Sequence, residues 1–498
     1  MSTDGFRVLL VNCNTPMDNL IPAGMSLLSA VLKQHGFEVR LFDTTFYKPP
    51  GVETGDEVRA RNLQVRKTDL ADIGILPEPN PVTEDFRALV LDWRPDVIGF
   101  SIIECTYLLS LDLARAITDY RPEVPRVFGG VHATFAAEDL LAKDVCDVVC
   151  VGEGEYPMLE LCQALREGRD HTRIANLSVK RHGRIHRNPL RSVVDLDALP
   201  DQDWEIYDRR RFFKPMGGRI WITGTFEMNR GCPYSCMYCV NYGLNDLYKD
   251  LGGYYRERSI AALIREMTEK KERYGLEFAY LVAESFLTTS RPRLEEFAAR
   301  YPVEIGLPFW VEARPESITR EKIRMLERCG CEGISIGVES GNHEFRKQFM
   351  NRNIPNEKIV RAFEILADSK LRVSANNVIG FPTETRELIF ETIALNRRFP
   401  HVSGVMCSLY SPYRGTRLRE LAEEKGYMDK DAVAGDYRKE TVLRMEHMTQ
   451  AEVLGLQRTF PLYVKLPEEK WPLIRKAEEM TPEGERIYRE FAEEFLGG

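Results

Sequence analysis

Residues 230–243 read RGCPYSCMYCVNYG and carry Cys232, Cys236 and Cys239 in the spacing C-x3-C-x2-C. Three thiolates this close can each take one iron of a four-iron, four-sulfur cluster. The fourth iron then stays open to a small chelating ligand. Gly231 before the first cysteine and Pro233 after it suit a loop whose backbone wraps closely round cluster sulfurs. Tyr238, just before the third cysteine, can lay its ring on a bound base. The same cysteines also admit a zinc site or three buried structural thiols. A structural zinc wants a fourth cysteine or histidine nearby, and this loop offers none.

Such a loop needs elements to hold it. From residue 221 onward, strand patterns at 221–228, 278–283, 308–312, 333–338, 373–379 and 404–410 alternate with helical ones. Six β/α units with the cysteine loop after the first strand make an incomplete barrel, with ligand chemistry at the C-terminal strand ends. The first 172 residues alternate in the same way, with strands expected at 6–12, 38–43, 97–102, 126–129 and 148–151. That pattern predicts a doubly wound, Rossmann-like parallel sheet with helices on both faces, hence an α/β chain. Residues 44–81 are charged and proline-rich and read as an excursion off that sheet. A hairpin (NLSVKRHGRIHRN) and a charged tether fill 173–215, the barrel spans 216–412, and 413–498 are helical and charge-dense.

The chain has 498 residues, 43% hydrophobic content and a formal net charge of −8, which gives no global attraction to nucleic acid or anionic membranes. No apolar run reaches the ~20 residues of a membrane span, and the N-terminus reads as a first strand, not a signal peptide. Eleven cysteines in a chain this long do not make a disulfide scaffold. Reduced thiols and an oxygen-labile cluster fit the cytoplasm. The eight cysteines outside the loop read as small buried hydrophobes.

The cysteine loop resembles the signature of the radical S-adenosylmethionine (SAM) superfamily. There the methionyl amine and carboxylate of SAM chelate the open iron, and an electron from the cluster splits SAM into methionine and a 5′-deoxyadenosyl radical. The resemblance implies SAM-binding roles at the strand ends. Glu284, in LVAESF, would accept from the SAM amine, although the family's Gly-Gly-Glu is here Val282-Ala283-Glu284. Glu312 and Arg314, in VEARPE, end the third strand, where the arginine can pair with the SAM carboxylate. Glu339, in GISIGVESGN, and Arg352, in FRKQFMNR, resemble the fourth-strand region of cobalamin-type members. Asn377 and Gly380, in NNVIGFPTET, end the fifth strand, where a glycine lets backbone approach adenine and Thr383–Thr385 can cap the next helix. Tyr238 completes the SAM set. Apart from the resemblance, these charges also read as solvated strand ends.

The N-terminal block has no G-x-G-x-x-G after its first strand, which disfavours a dinucleotide site. Its glycines stand at later strand ends, in GFSIIEC, FGGVHAT and VGEGE, and PAGMSLLSAVLKQHGFEV follows the first strand. This order resembles the cobalamin-binding domain that precedes many radical SAM domains. The implied cobalamin contacts are Thr15, Pro16, Ser101, Ile102, Glu104, Gly129, Gly130, Val131, His132, Gly152, Glu153 and Gly154. The D-x-H-x-x-G motif that supplies a cobalt-ligating histidine in other cobalamin domains is absent. The first loop reads NCNTPMDNLIPAG, so cobalamin would be base-off, with Cys13, Asn14, Thr15 or Met17 lining its lower face. His132 also reads as a helix-capping histidine after a glycine turn, and the block as a flavodoxin-like module without cobalamin.

The resemblance to cobalamin-dependent radical SAM enzymes covers about residues 5–415. It implies methylation of an unactivated carbon, or of phosphorus, in a small metabolite. One SAM would supply the methyl group through cobalamin and a second the radical, with flavodoxin or ferredoxin as the electron donor. The alternatives are ring closure or rearrangement without net methyl transfer, and a non-catalytic iron–sulfur or corrinoid carrier.

Overall fold

Val8, Leu9, Leu10 and Val11 leave no polar position in the first strand, the pattern of a strand covered on both faces. The computed structural model describes residues 5–497, and in it these four side chains are at most 1% exposed. Their strand, β1 (Arg7–Asn12), lies in a seven-stranded sheet with β2 (Glu38–Asp43), β3 (Val97–Ser101), β4 (Arg126–Gly129), β5 (Val148–Cys150), β6 (Leu177–Arg181) and β7 (Arg184–Arg187). The order is β2-β1-β3-β4-β5-β6-β7. Strands β1 to β5 run parallel, and β6 and β7 add an antiparallel hairpin at the edge. Because the chain steps outward from β1 to β2 and then back to β3, right-handed crossovers place helices on both faces. The doubly wound expectation is met, and the order reverses at the C-terminal ends of β1 and β3, where such sheets hold ligands.

The second sheet contains β8 (Phe213–Met216), β9 (Arg219–Glu227), β12 (Phe278–Val282), β13 (Phe309–Ala313), β14 (Cys331–Glu339), β15 (Arg372–Ile379) and β16 (Gly404–Leu409). Its order is β16-β15-β14-β13-β12-β9-β8. Between β9 and β12, the two-residue strands β10 (Asn229–Arg230) and β11 (Arg256–Glu257) pair with each other. Strands β9 and β12 to β16 are parallel, the half-barrel predicted from the six β/α units.

Period two sorts the side chains of this sheet. Phe309, Val311, Ile334, Ile336, Val338, Val373, Ala375, Cys407 and Leu409 are nearly inaccessible and pack on the helix side. The other face carries Tyr280, Trp310, Glu312, Ser335, Gly337, Ser374, Asn376, Met406 and Ser408. Register sets them in rows: Tyr280 beside Trp310, Glu312 beside Ser335 and Ser374, Gly337 beside Asn376 and Met406. The inner face is therefore polar.

The chain divides into two compact units that do not follow sequence order. Asp56–Thr68, from inside the N-terminal block, belongs to the second unit, and Leu244–Arg256, just after the cysteine loop, belongs to the first. Charged residues 55–61 form a short helix (Gly55–Arg61) where the sequence indicated an irregular excursion. Within the second unit Gln64 donates to the Cys407 carbonyl at 2.9 Å, and Val58 is 1% exposed. The C-terminal helices Gln450–Lys465, Trp471–Glu478 and Pro482–Gly497 belong to this unit too. Buried Glu478 takes both terminal nitrogens of Arg386, at 2.8 and 2.6 Å, and ties the helix Arg386–Arg397 to them. None of the described helices is long and apolar enough to cross a membrane.

Candidate active site

The cysteine loop leaves β9 through β10 and is held by backbone. Gly231 sits at φ 85°, a left-handed turn that only glycine makes without strain. Met237 donates to the Met350 carbonyl at 3.2 Å and accepts from the Leu418 N–H at 3.0 Å. Asn351 donates to the Ser235 carbonyl at 2.8 Å. Cys232 and Cys236 are buried and Cys239 half-buried. Burial pushes the Cys232 thiol up and the Cys239 thiol up to about 12, so these thiols shed their protons only to a cation that replaces them. Among the described residues, no three His, Cys, Asp or Glu side chains converge as ligands of one ion must. A cube of iron and sulfur instead takes its cysteines spread out, one per corner, and the donor set fits it. Arg314 donates to the Cys236 sulfur at 3.0 Å, and Asn241 to the Cys239 sulfur at 3.6 Å.

Beside the loop stands a charged layer. Glu339 ends β14 at φ 68°, a strained conformation for a residue with a side chain, and the β14–β15 register slips at this point. The kink carries its carboxylate to Arg352 at 2.7 Å. Arg352 is 2% exposed and also donates to the Tyr238 hydroxyl at 3.1 Å and the Gly337 carbonyl at 2.8 Å. Arg314 pairs with Glu316 at 2.6 Å and stacks 3.8 Å over the Tyr234 ring. Glu284 faces the same space. Burial raises its carboxyl, Glu312 raises it further, and a hydrogen bond from Asn241 works the other way. The structure thus gathers Tyr238, Glu284, Arg314, Glu339 and Arg352 around the three cysteines.

Two expectations for β15 need correction. Asn377 is 1% exposed and turned away from the inner face, where it exchanges amide hydrogen bonds with Asn396 at 2.7 and 3.2 Å. Its predecessor Asn376 takes the inner face, because successive strand residues point to opposite sides. We expect Asn377→Ala to orphan the buried Asn396 amide and cost about 1–3 kcal/mol in a urea titration. A loss confined to SAM affinity would contradict this placement.

Gly380 is needed by the fold itself. Its φ is 87° and a Cβ would stand 3.2 Å from Val453. Its N–H donates to Glu384 at 2.7 Å, so it is not offered to a ligand. Thr385 caps the next helix, as the sequence indicated.

Burial raises the Glu384 carboxyl from 4.5 to about 8, against the pull of the Gly380 and Phe381 N–H groups. The unfolded chain releases that proton near 4.5, the folded chain only near 8. Stability is full at low pH and falls as pH rises across this window. Glu384→Gln, which still accepts both N–H groups, should flatten that part of the melting-temperature profile. An unchanged slope would assign it to other groups.

In the first unit, the residues named from the sequence fall into two sets. Gly129 and Gly154 have ordinary φ, and a Cβ on either would meet nothing nearer than 3.7 Å. Their own fold does not require glycine. The bare backbone leaves a cradle at the strand ends that suits a large ligand lying against the edge. Thr15, Pro16, Ser101 and Val131 are half-buried at the same ends. Gly130 and Gly152 are glycine for internal reasons. At φ 92° a Cβ on Gly130 would strike the Ile102 carbonyl at 2.7 Å, and at φ 79° one on Gly152 would strike the Tyr248 hydroxyl.

The side chains of Glu104, His132 and Glu153 depart from the expectation. His132 is 3% exposed, 3.7 Å from the equally buried Glu104, with Tyr107 tilted against its ring. It neither caps a helix nor reaches the edge. Glu153 is buried, paired with Arg256, and accepts from the Val194 N–H at 2.8 Å. Ile102 is buried as well, so only the backbone of these four can meet a ligand. Of the lower-face candidates, Cys13 is buried and the Asn14 amide is spent on Asp18 and Thr45, leaving Thr15 and Met17 at the loop tip.

Sequence reasoning missed Asn376, Asn241 and the Tyr280–Glu312 pair on the inner face, where Tyr280 donates to Glu312 at 2.9 Å. Strand period two could have found Tyr280, two residues before Val282 and four before Glu284. Nothing local marks Asn241.

Residues 9–162 match the model of the B12 binding domain, and residues 226–395 match that of the radical SAM superfamily. This is a cobalamin-dependent radical SAM enzyme. Its cofactors are a [4Fe-4S] cluster, SAM and cobalamin, which suit the residues gathered in each unit. An uncharacterized methyltransferase of Pyrococcus horikoshii is 24% identical over 381 residues, 75% of this chain and 79% of that relative. The anaerobic magnesium-protoporphyrin IX monomethyl ester cyclase of Rubrivivax gelatinosus is 24% identical over 363 residues, 70% of this chain and 63% of that protein. Among solved structures, the radical SAM methyltransferase TsrM of Kitasatospora setae, with cobalamin and a [4Fe-4S] cluster bound, matches with a TM-score of 0.57 at 19% identity, over 86% of this chain and 76% of that one. At that identity the likeness shows the fold alone.

Proposed function

We propose that this cobalamin-dependent radical SAM enzyme moves a methyl group from SAM to an unactivated carbon of a small molecule. The cofactors supply the hard chemistry: the cluster provides the electron that splits SAM, and cobalamin carries the methyl group. The chain's residues bind and orient. Cys232, Cys236 and Cys239 hold the cluster. Glu284 accepts from the SAM ammonium, and Arg314, drawn to the Cys236 sulfur, meets the SAM carboxylate. Tyr238, fixed by Arg352, offers its ring to the adenine. Thr15 and Met17, in the loop after β1, would hold cobalamin.

The observation that carries methyl transfer is the environment at the strand ends of the first unit. His132 is the one histidine in the loops after β1, β3, β4 and β5, and it is locked against Glu104 and Tyr107. With no imidazole free at these strand ends, base-off cobalamin is the reading this edge supports, and the bound group would supply the methyl carrier. The methyltransferase relative from Pyrococcus horikoshii agrees. A reduced flavodoxin or ferredoxin would supply electrons.

The test uses SAM carrying a trideuterated methyl group and the small-molecule extract of a producing cell. A product heavier by one trideuterated methyl, with 5′-deoxyadenosine formed alongside, is expected. Dehydrogenated or ring-closed product without label would replace this reading with the cyclase type. Glu284→Gln removes a charge-assisted contact and should weaken SAM binding by about 1.5–3 kcal/mol while cobalamin still binds. SAM binding at full strength would remove Glu284 from the site.

A further inference from the structure

The charges on the inner face of the half-barrel do not cancel. Arg352 is matched by Glu339 at 2.7 Å and Arg314 by Glu316 at 2.6 Å. Arg230 is matched by Glu227 at 3.2 Å, and Arg59 by Asp56 at 3.3 Å. Glu284 and Glu312 have no cation within ion-pair distance among the described residues. Glu284 has one in prospect, the SAM ammonium, so one carboxylate remains.

Glu312 is built for a single purpose. The Tyr280 hydroxyl donates to its Oε1 at 2.9 Å, which fixes the carboxyl and leaves Oε2 as an acceptor. One row toward the N-terminal strand ends, Trp310 makes a floor. Its ring lies where a Cβ on Gly333 would be 2.1 Å away, and its Nε1 donates to Ser335 at 2.9 Å. Arg59, hydrogen-bonded to Tyr437 at 2.9 Å, acts on Tyr280 and Glu312 through its charge. The side chain of Glu312 is open to the space inside the curled sheet, where protein surrounds it. A neutral donor there would leave its charge without an ion-pair partner beside Glu284 and Glu339, which a low-dielectric space penalises.

We propose that Glu312, held by Tyr280, is the substrate-binding carboxylate of this barrel and selects molecules that carry a protonated amine. The inference rests on the proposed function in one respect, the assignment of the SAM ammonium to Glu284.

Full-length protein, reconstituted with cluster and cobalamin and saturated with SAM so that Glu284 is engaged, should be titrated with 2-phenylethylamine and with 2-phenylethanol. The amine should bind about tenfold tighter, the factor of one charge-assisted hydrogen bond. Glu312→Gln should bring the ratio close to one. Tyr280→Phe keeps the charge but frees the carboxyl to turn, and should reduce the preference without abolishing it, so a poorly folded Glu312→Gln would not close the question. In the wild type the preference should fade as pH drops, beginning above the ordinary carboxylate range, because burial raises Glu312 against the hydrogen bond from Tyr280 and Glu339 raises it further. Equal binding of amine and alcohol to the wild type, or a preference that survives in Glu312→Gln, would overturn the proposal. A wild type that selects the amine yet transfers no labelled methyl would leave this inference standing and sink the methyl-transfer reading.

Discussion

Replacing Cys232, Cys236 and Cys239 together with alanine should leave a protein that binds no cluster and cleaves no SAM. The wild type, reconstituted without oxygen, should hold about four irons. Iron analysis and the visible absorbance of the cluster measure the first effect, and 5′-deoxyadenosine release the second. The effect is total because nothing nearby can replace the thiolates. The other eight cysteines lie outside this loop, seven of them buried, and among the described residues no three His, Cys, Asp or Glu side chains gather as ligands of one ion. The first unit draws none of its strands from the loop, so cobalamin binding by the triple variant should persist. Retention of the cluster would place its ligands elsewhere.

The second large effect is expected at Arg352. This guanidinium is 2% exposed, and three groups depend on it: the Glu339 carboxylate, the Tyr238 hydroxyl and the Gly337 carbonyl. Burial alone would lower its pKa, but Tyr238, Glu339 and Cys236 raise it, so it stays charged. Arg352→Met fills similar volume but strands Glu339 at a strained φ with no cation. Breaking a buried pair from one side costs about 3–5 kcal/mol. Urea denaturation should show that loss, and SAM affinity should fall with it as Tyr238 comes loose. Arg352→Lys should recover part of the stability, since it restores charge but not the fork that reaches three partners. A loss below about 1 kcal/mol would mean that water already solvates Glu339.

Much of the fold could be read in the sequence because its signals are local. β2 and β4 begin and end where their patterns do, and the other parallel strands lie within two residues of expectation. The helices Ile260–Tyr274 and Arg320–Arg328 carry Ser259 and Thr319 as side-chain caps, so each helix announces its own start. The cysteine loop was legible for the same reason: its three thiols lie within eight residues of one another and need no distant partner to be seen.

What the sequence by itself determined was therefore the chemistry within reach of one loop or one strand: an open-iron cluster, a polar rim at the strand ends, and a first unit with no histidine motif for cobalt. Tertiary structure alone decided the rest. Asn376 and Asn377 are chemically identical neighbours, and only register with β14 and β16 gives the inner face to the first and the Asn396 amide to the second. Gly129 and Gly130 are equally adjacent, yet one leaves a cradle while the other is required by the Ile102 carbonyl. Asp56–Thr68 looked like an excursion because its partners, Cys407 and Tyr437, lie more than three hundred residues away. Glu312 stood in the sequence only beside Arg314 at a strand end, and the fold sets it against Tyr280. Each of these turns on which atoms meet across long sequence separations, and a pattern read along the chain carries no information about that.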